Sequence, residues 1–218
     1  MPGTTGNILL HMFNLMKDRF GPQAWWPGDS PMEVMTGAIL TQNTNWKNVE
    51  KAIENLKASG LLSLDALQKI SHVDLAEQIR PAGYYNIKAR RLKNLIEFIS
   101  IKYESDLDLF LREETDTMRE GLLSVKGVGP ETADSIVLYA AERPIFVIDA
   151  YTHRILSRHD MTDETVHYYE IQELFMENLP ADTSLFNEFH AQIVQTGKNF
   201  CKKRPLCQEC PLLEWNRI

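Results

Sequence analysis

Leu122-Leu123-Ser124-Val125-Lys126-Gly127-Val128-Gly129-Pro130-Glu131-Thr132-Ala133-Asp134-Ser135-Ile136 is an apolar helical run, a Gly-Val-Gly turn and a second helical run. Gly127 and Gly129 can reach positive φ without steric cost. Pro130 suits the first turn of a helix, where its missing N–H is not needed. Val128 can tuck between the two helices, and Ala133 is small where they cross. Such a turn leaves backbone N–H groups at a helix N-terminus, which favours anions. A lone Gly-x-Gly is equally a plain helical corner, so its chemistry depends on its surroundings.

On both sides of the turn, apolar residues recur at helical spacing. The pattern predicts helices over 8–19, 31–40, 46–56, 64–70, 74–79, 86–102, 107–112, 115–123, 132–141, 150–159, 165–176 and 185–196. Breaks fall at Gly28, Gly60, Pro81-Ala82-Gly83, Pro144 and Pro180. The strand-like run Ile145-Phe146-Val147-Ile148 is too short to support a sheet. An all-α fold is expected.

The chain has 218 residues, 44% hydrophobic and 24% charged, a globular composition able to bury a core. It has no apolar run near the roughly 20 residues of a membrane helix, so no membrane span is expected. Met1-Pro2-Gly3-Thr4-Thr5 lacks the basic and apolar regions of a secretory signal, so a cytoplasmic protein is expected. The net charge of −7 argues against a general polyanion coat but leaves room for a local basic face. Cys201, Cys207 and Cys210 are spaced C-x5-C-x2-C near the C-terminus. An odd cluster without an export signal reads as metal ligation, iron–sulfur or zinc, rather than as disulfides.

Further motifs stand in order along the chain. Leu40-Thr41-Gln42-Asn43-Thr44 precedes Gly83-Tyr84-Tyr85-Asn86-Ile87-Lys88-Ala89. The hairpin is followed by Pro144 and by Val147-Ile148-Asp149, and then by the cysteines. Together these resemble the helix-hairpin-helix, Gly/Pro…Asp superfamily of DNA glycosylases, and most of all its endonuclease III branch, over nearly the whole chain. The resemblance implies two helical domains. Residues 30–130 would form a helical barrel ending in the hairpin. Residues 1–29 plus 131–218 would form the second domain, with the catalytic Asp and the cysteine loop.

Within that resemblance Asp149 is the catalytic carboxylate. Taken alone, an Asp before Ala150-Tyr151-Thr152 reads as a helix N-cap. The two roles cooperate, because helix N–H groups favour the ionised carboxylate. A fixed anion stabilises the oxocarbenium-like charge of a breaking N-glycosidic bond and can deprotonate the attacking water. Bifunctional members carry a lysine where this chain has Glu131, and a carboxylate cannot form a Schiff base, so a monofunctional enzyme is expected.

Ala24-Trp25-Trp26-Pro27, the aromatic Trp46 after Thr41-Gln42-Asn43-Thr44, and Glu131 resemble a 3-methyladenine glycosylase subgroup. Trp25, Trp26, Trp46 and Glu131 are the base-pocket candidates. A cationic alkylated purine over a Trp face gains about 0.5–2 kcal/mol that a neutral purine does not. The alternatives are a glycosylase for oxidised or mismatched bases and a non-catalytic DNA-binding module. Gln42 would fill the gap left by the flipped nucleotide, and Tyr84 would wedge into the opposite strand.

Lys126, Gly127, Val128, Gly129, Lys202, Lys203 and Arg204 are the expected DNA contacts, with Lys88, Arg90, Arg91, Lys93 and Lys198 extending the basic face. His153 and His190 read as structural. The family's cysteine pattern is C-x6-C-x2-C-x5-C; here the first gap is shorter and Asn216 replaces the last cysteine. The resemblance implies a [4Fe–4S] cluster on Cys201, Cys207 and Cys210 with an open or non-cysteine fourth position, or else no cluster. The expected partner is double-stranded DNA with a damaged base, bound by a monomer.

Overall fold

Among the described residues, twelve α-helices and two short 3-10 turns make up the regular structure, and no strand forms. The computed structural model describes residues 4–25 and 28–215. None of its helices is long and apolar enough to cross a membrane. The chain divides into two compact units, Met1–Trp25 with Pro144–Ile218, and Trp26–Arg143.

The first unit holds α1 (Thr5–Phe20), α10 (Ala150–Arg158), α11 (Tyr168–Met176) and α12 (Thr183–Asn199). The second holds α2 (Pro31–Leu40), α3 (Trp46–Ala58), α4 (Leu64–Lys69), α5 (His72–Gln78), α6 (Tyr85–Lys102), α7 (Leu107–Leu111), α8 (Thr115–Ser124) and α9 (Pro130–Tyr139). The sequence sets the domain boundary at 130, whereas the break falls between 143 and 144. The reason is that α9 packs on α8 and α2 and stays with the hairpin.

α2 is buried at every position from Met32 to Leu40, as a helix enclosed by α3, α6 and α9 must be. Ser30 caps it by accepting the Glu33 N–H at 3.2 Å. α8 and α9 are joined by the Gly-Val-Gly turn and by a buried ion pair. Arg119 Nε and Nη2 donate to the two carboxyl oxygens of Asp134 at 2.6 and 3.1 Å. Only one glycine of the turn needs its freedom: Gly127 lies at φ 101°, whereas Gly129, the N-cap of α9, is extended at φ −102°.

In the first unit α12 packs on both α1 and α10. Its core is aromatic: the Phe146 ring stacks on Phe175 at 3.9 Å and meets Phe186 and Phe189 edge-on. α11 begins at Tyr168 rather than at 165, because Asp163 Oδ1 accepts both the N–H and the hydroxyl of Thr165 and holds a turn there.

The run Ile145-Phe146-Val147-Ile148 is extended and buried, with no neighbouring strand to bond its backbone. Side chains of α11 take that place. Ile148 N–H donates to Tyr168 Oη at 3.3 Å, Phe146 O accepts from Gln172 Nε2 at 2.7 Å, and Phe146 N–H meets Met176 Sδ at 3.3 Å. Residues 168, 172 and 176 lie at i, i+4 and i+8, on one face of the helix. One helix face thus satisfies a buried strand-like segment, as buried backbone requires. The segment delivers the chain to residue 149.

Candidate functional site

Asp149 stands at the N-terminus of α10 in extended conformation. Its Oδ1 accepts the Thr152 N–H at 2.7 Å and the Thr152 hydroxyl at 2.9 Å. The Thr152 hydroxyl oxygen faces the Asp149 N–H at 3.5 Å, which closes a capping box. Oδ2 faces His190 Nε2 at 3.5 Å. Burial pushes the Asp149 carboxyl up. The nearby His190 imidazole, with both Thr152 donors, outweighs it and leaves the group below its ordinary value. The side chain keeps 11% exposure, so the carboxylate is held ionised yet remains reachable.

Trp25 belongs to the same unit and stacks on the His190 ring, centroids 5.6 Å apart and planes 23° apart. Its segment is tied to α12. Glu188 accepts the backbone N–H of Gln23 at 2.8 Å and of Ala24 at 3.2 Å. Gln192 Nε2 donates to Gly21 O and to Glu188 Oε1, both at 2.7 Å. Ala24 sits at φ 44°, a left-handed turn that aims the next residue. On α10, Tyr151 packs its ring over Gly197 of α12, where any Cβ would overlap the ring.

In the second unit the hairpin turn is held by side chains. Gln42 Nε2 donates to Gly127 O at 3.1 Å and to Thr132 Oγ1 at 3.0 Å, and its Oε1 accepts from Arg91 Nη1. Asn94 Nδ2 donates to Lys126 O at 2.8 Å. The Lys126 and Gly127 carbonyls, groups that would repel a phosphate, are thus engaged by internal donors. Val128 is buried, so only its backbone is available to a ligand. Gly129 has open space where a Cβ would stand. Lys126 is exposed beside the turn.

The other candidates divide. Tyr84 is 69% exposed, in left-handed conformation at the start of α6. Glu131 is exposed in the first turn of α9. Trp46 is half-buried at the start of α3, with its ring against α2 at Gly37. Trp26 lies outside the described residues. Lys202, Lys203 and Arg204 are exposed, as are Arg90 and Lys198.

Three residues of the expected basic face have internal roles instead. Lys88 is buried and donates to Leu40 O at 2.7 Å and Ala82 O at 2.8 Å. Lys93 donates to the carbonyls of Leu67, Gln68 and Ile70 at the end of α4. Arg91 holds Gln42. Helix C-termini need donors, and the two lysines supply them.

Among the described residues the cysteine loop forms no complete metal-ligand group. Cys201 is buried, Cys210 is half-buried and Cys207 is exposed. Cys201 Sγ accepts from Arg158 Nη1 at 3.3 Å, and burial pushes the Cys210 thiol up. Among the described residues no three His, Cys, Asp or Glu side chains gather as metal ligands. A cluster needs converging thiolates. Cys201 Sγ meets the Arg158 guanidinium and Cys207 faces solvent, yet both lie near enough to Cys210 to raise its thiol further, so the three thiols share one neighbourhood without closing a ligand set among the described residues. Asn216 lies outside the described residues.

His190, Glu188 and Thr152 surround Asp149 or its neighbours without being read as site residues from the sequence. His190 falls on the apolar face of α12 with Phe186, Phe189 and Ile193, where a histidine looks like core. Only Thr152 has a local sequence signal, its place three residues after an N-cap Asp.

A family model described as HhH-GPD superfamily base excision DNA repair protein matches residues 36–181. A Methanocaldococcus jannaschii protein provisionally named a DNA repair glycosylase is 47% identical over 95% of this chain and 95% of its own length. Among solved structures, the H. pylori 3-methyladenine DNA glycosylase bound to 1,N6-ethenoadenine is 31% identical, with TM-score 0.77, covering 90% of this chain and 98% of that one. An endonuclease III trapped as a covalent DNA intermediate shares the fold, with TM-score 0.81 at 21% identity over 98% of this chain and 96% of its own.

Proposed function

Because the chain belongs to the HhH-GPD superfamily of base excision DNA repair proteins, a DNA glycosylase family, we propose that it hydrolyses the N-glycosidic bond of an alkylated purine such as 3-methyladenine, without lyase activity. The observation that carries the reading is the Asp149 carboxylate, kept ionised by Thr152 and His190 while still partly exposed. As the bond between the sugar and the base nitrogen breaks, positive charge grows on the sugar. A fixed anion stabilises it, and the same carboxylate accepts a proton from the water that adds to the sugar carbon. The base leaves with the bonding electron pair. An alkylated purine starts cationic and leaves neutral, so no strong general acid is needed.

Two observations support the finer parts. Similarity to the H. pylori enzyme supports the lesion class, and Trp25 provides an aromatic ring in the unit that bears Asp149. Trp26 and Trp46 are further residues proposed to contact the base. Glu131 stands where the resemblance puts a Schiff-base lysine, which supports the monofunctional assignment. Lys126, Gly127, Val128 and Gly129 are proposed to meet the phosphate backbone, with Lys202, Lys203 and Arg204. Gln42 is proposed to fill the vacated stack and Tyr84 to wedge beside it. No step passes through a metal.

The test is release of methylated purine from alkylated duplex DNA, followed by chromatography, with strand cleavage read before and after alkali. The expected result is free 3-methyladenine and breaks only after alkali. Trapping by borohydride overturns the monofunctional assignment. Release of oxidised pyrimidines alone overturns the lesion class, and binding without release overturns the enzyme.

A further inference from the structure

We propose that His190 is a positioning residue for the reaction, acting through the Asp149 carboxylate and itself held in plane by Trp25. This rests on the reading of Asp149 as the catalytic group. His190 Nε2 lies 3.5 Å from Asp149 Oδ2, while Thr152 occupies Oδ1. Each carboxyl oxygen therefore has its own partner, and rotation of the carboxyl group would break both sets of contacts. Thr152 belongs to Asp149's own helix and moves with it. His190 belongs to α12 and is the contact that ties the carboxylate to a second element.

The imidazole is built in from the other side. It is 5% exposed, so its orientation is set by packing rather than by water. Trp25 stacks across it, and the Trp25 segment is fastened by the Glu188 carboxylate and the Gln192 amide, two residues to either side of His190 on α12. Glu188 takes two backbone N–H groups of that segment and so fastens it to α12. The sequence of contacts is Glu188 to the 23–24 backbone, Trp25 to His190, and His190 to Asp149. It links the proposed base-stacking ring to the carboxylate, so a base seated on Trp25 and the group acting on its sugar share one frame.

The experiment measures single-turnover base release and lesion-DNA affinity for His190→Phe and His190→Gln in the full chain. Phe keeps a ring on Trp25 but removes the nitrogen donor; Gln restores an N–H donor. The expected result for His190→Phe is a rate lower by about 10- to 100-fold, the worth of a charge-assisted hydrogen bond, with affinity within about 2-fold. His190→Gln is expected to recover part of the rate. A His190→Phe rate equal to wild type overturns the proposal, as does a loss confined to affinity.

Should His190→Phe not fold, the nitrogen-15 spectrum of the wild-type imidazole decides. A proton on Nε2 whose signal moves in Asp149→Asn supports the proposal, and an Nε2 without a proton overturns it. Asp149→Asn separates the two claims. If Asp149→Asn retains base release, the catalytic reading itself fails. If Asp149→Asn is inactive while His190→Phe runs at full rate, only the role of His190 fails.

Discussion

The Gln42 side-chain amide donates to the backbone carbonyl of Gly127 at 3.1 Å, across 85 residues of sequence. The same nitrogen serves Thr132, and the amide oxygen accepts from Arg91. Gln42, proposed to fill the vacated stack, therefore also braces the turn. Gln42→Ala is expected to lower stability by about 1–3 kcal/mol, because Gly127 O and the Arg91 guanidinium lose a partner. Urea unfolding without DNA measures it. An unchanged midpoint would assign Gln42 to DNA alone.

The two glycines of the turn are expected to separate. At Gly127 a side chain meets both a positive φ and the Arg91 stem, so Gly127→Ala should cost about 1–3 kcal/mol of stability. Gly129 has neither constraint, and Gly129→Ala should fold within about 0.5 kcal/mol of wild type. A methyl group there stands where a phosphate would approach the backbone, so lesion-DNA affinity should fall. Thermal melting and fluorescence anisotropy, run on both variants, give the two readouts.

The hairpin's angle depends on Arg119 and Asp134. Asp134 is fully buried and Arg119 half-buried, and the pair is bidentate. Asp134→Ala leaves a guanidinium without its carboxylate partner and is expected to cost about 3–5 kcal/mol. Replacing both with apolar residues of similar size should cost much less. Urea unfolding of the single and double variants checks the difference.

The residues that make helices announce themselves locally. α2 spans 31–40 as its helical spacing predicts, and the hairpin turn falls at Gly127-Val128-Gly129-Pro130 as its sequence predicts. What periodicity does not carry is pairing through space. Lys88 and Lys93 look like phosphate ligands because lysines usually are exposed. They are used inside because the helix ends at Leu40 and around Ile70 expose carbonyls that only folding brings near α6. His190 and Asp149 belong to different helices, so neither spacing nor composition ties them. The segment 145–148 has a strand's sequence without a sheet, because its partners are side chains of α11.

Two buried groups set the pH response of stability in opposite ranges. Burial, then the nearby Arg91 charge, lowers Lys88 from 10.5 to about 8. The neutral amine still has two N–H groups for its two carbonyls. Between about 8 and 10.5 the unfolded chain holds more protons than the folded one, so stability rises with pH there. Lys88→Met should lose that rise. Asp149 is held below 3.8, so its contribution is complete above that value and is lost as pH falls through the lower folded value. Asp149→Asn should lack this acid limb. Urea midpoints of the three proteins across pH check both signs.

The C-terminal loop is braced by two arginines of α10. Arg154 Nε donates to Cys201 O at 2.7 Å, and Arg158 Nη1 donates to Lys202 O at 2.7 Å as well as to Cys201 Sγ. The Arg154 guanidinium also lies over the Tyr151 ring at 5.0 Å, so it is fixed from behind. Charged donors on backbone carbonyls hold a loop without thiolate ligation. A strong iron and zinc chelator is therefore expected to leave the melting temperature unchanged, and Cys207→Ser should be silent. Arg158→Ala should lower the melting temperature, because three loop contacts end on that one guanidinium. A chelator-induced drop, with iron recovered in the filtrate, would show instead that the thiols converge on a metal and that Arg158 gives up its sulfur contact to it.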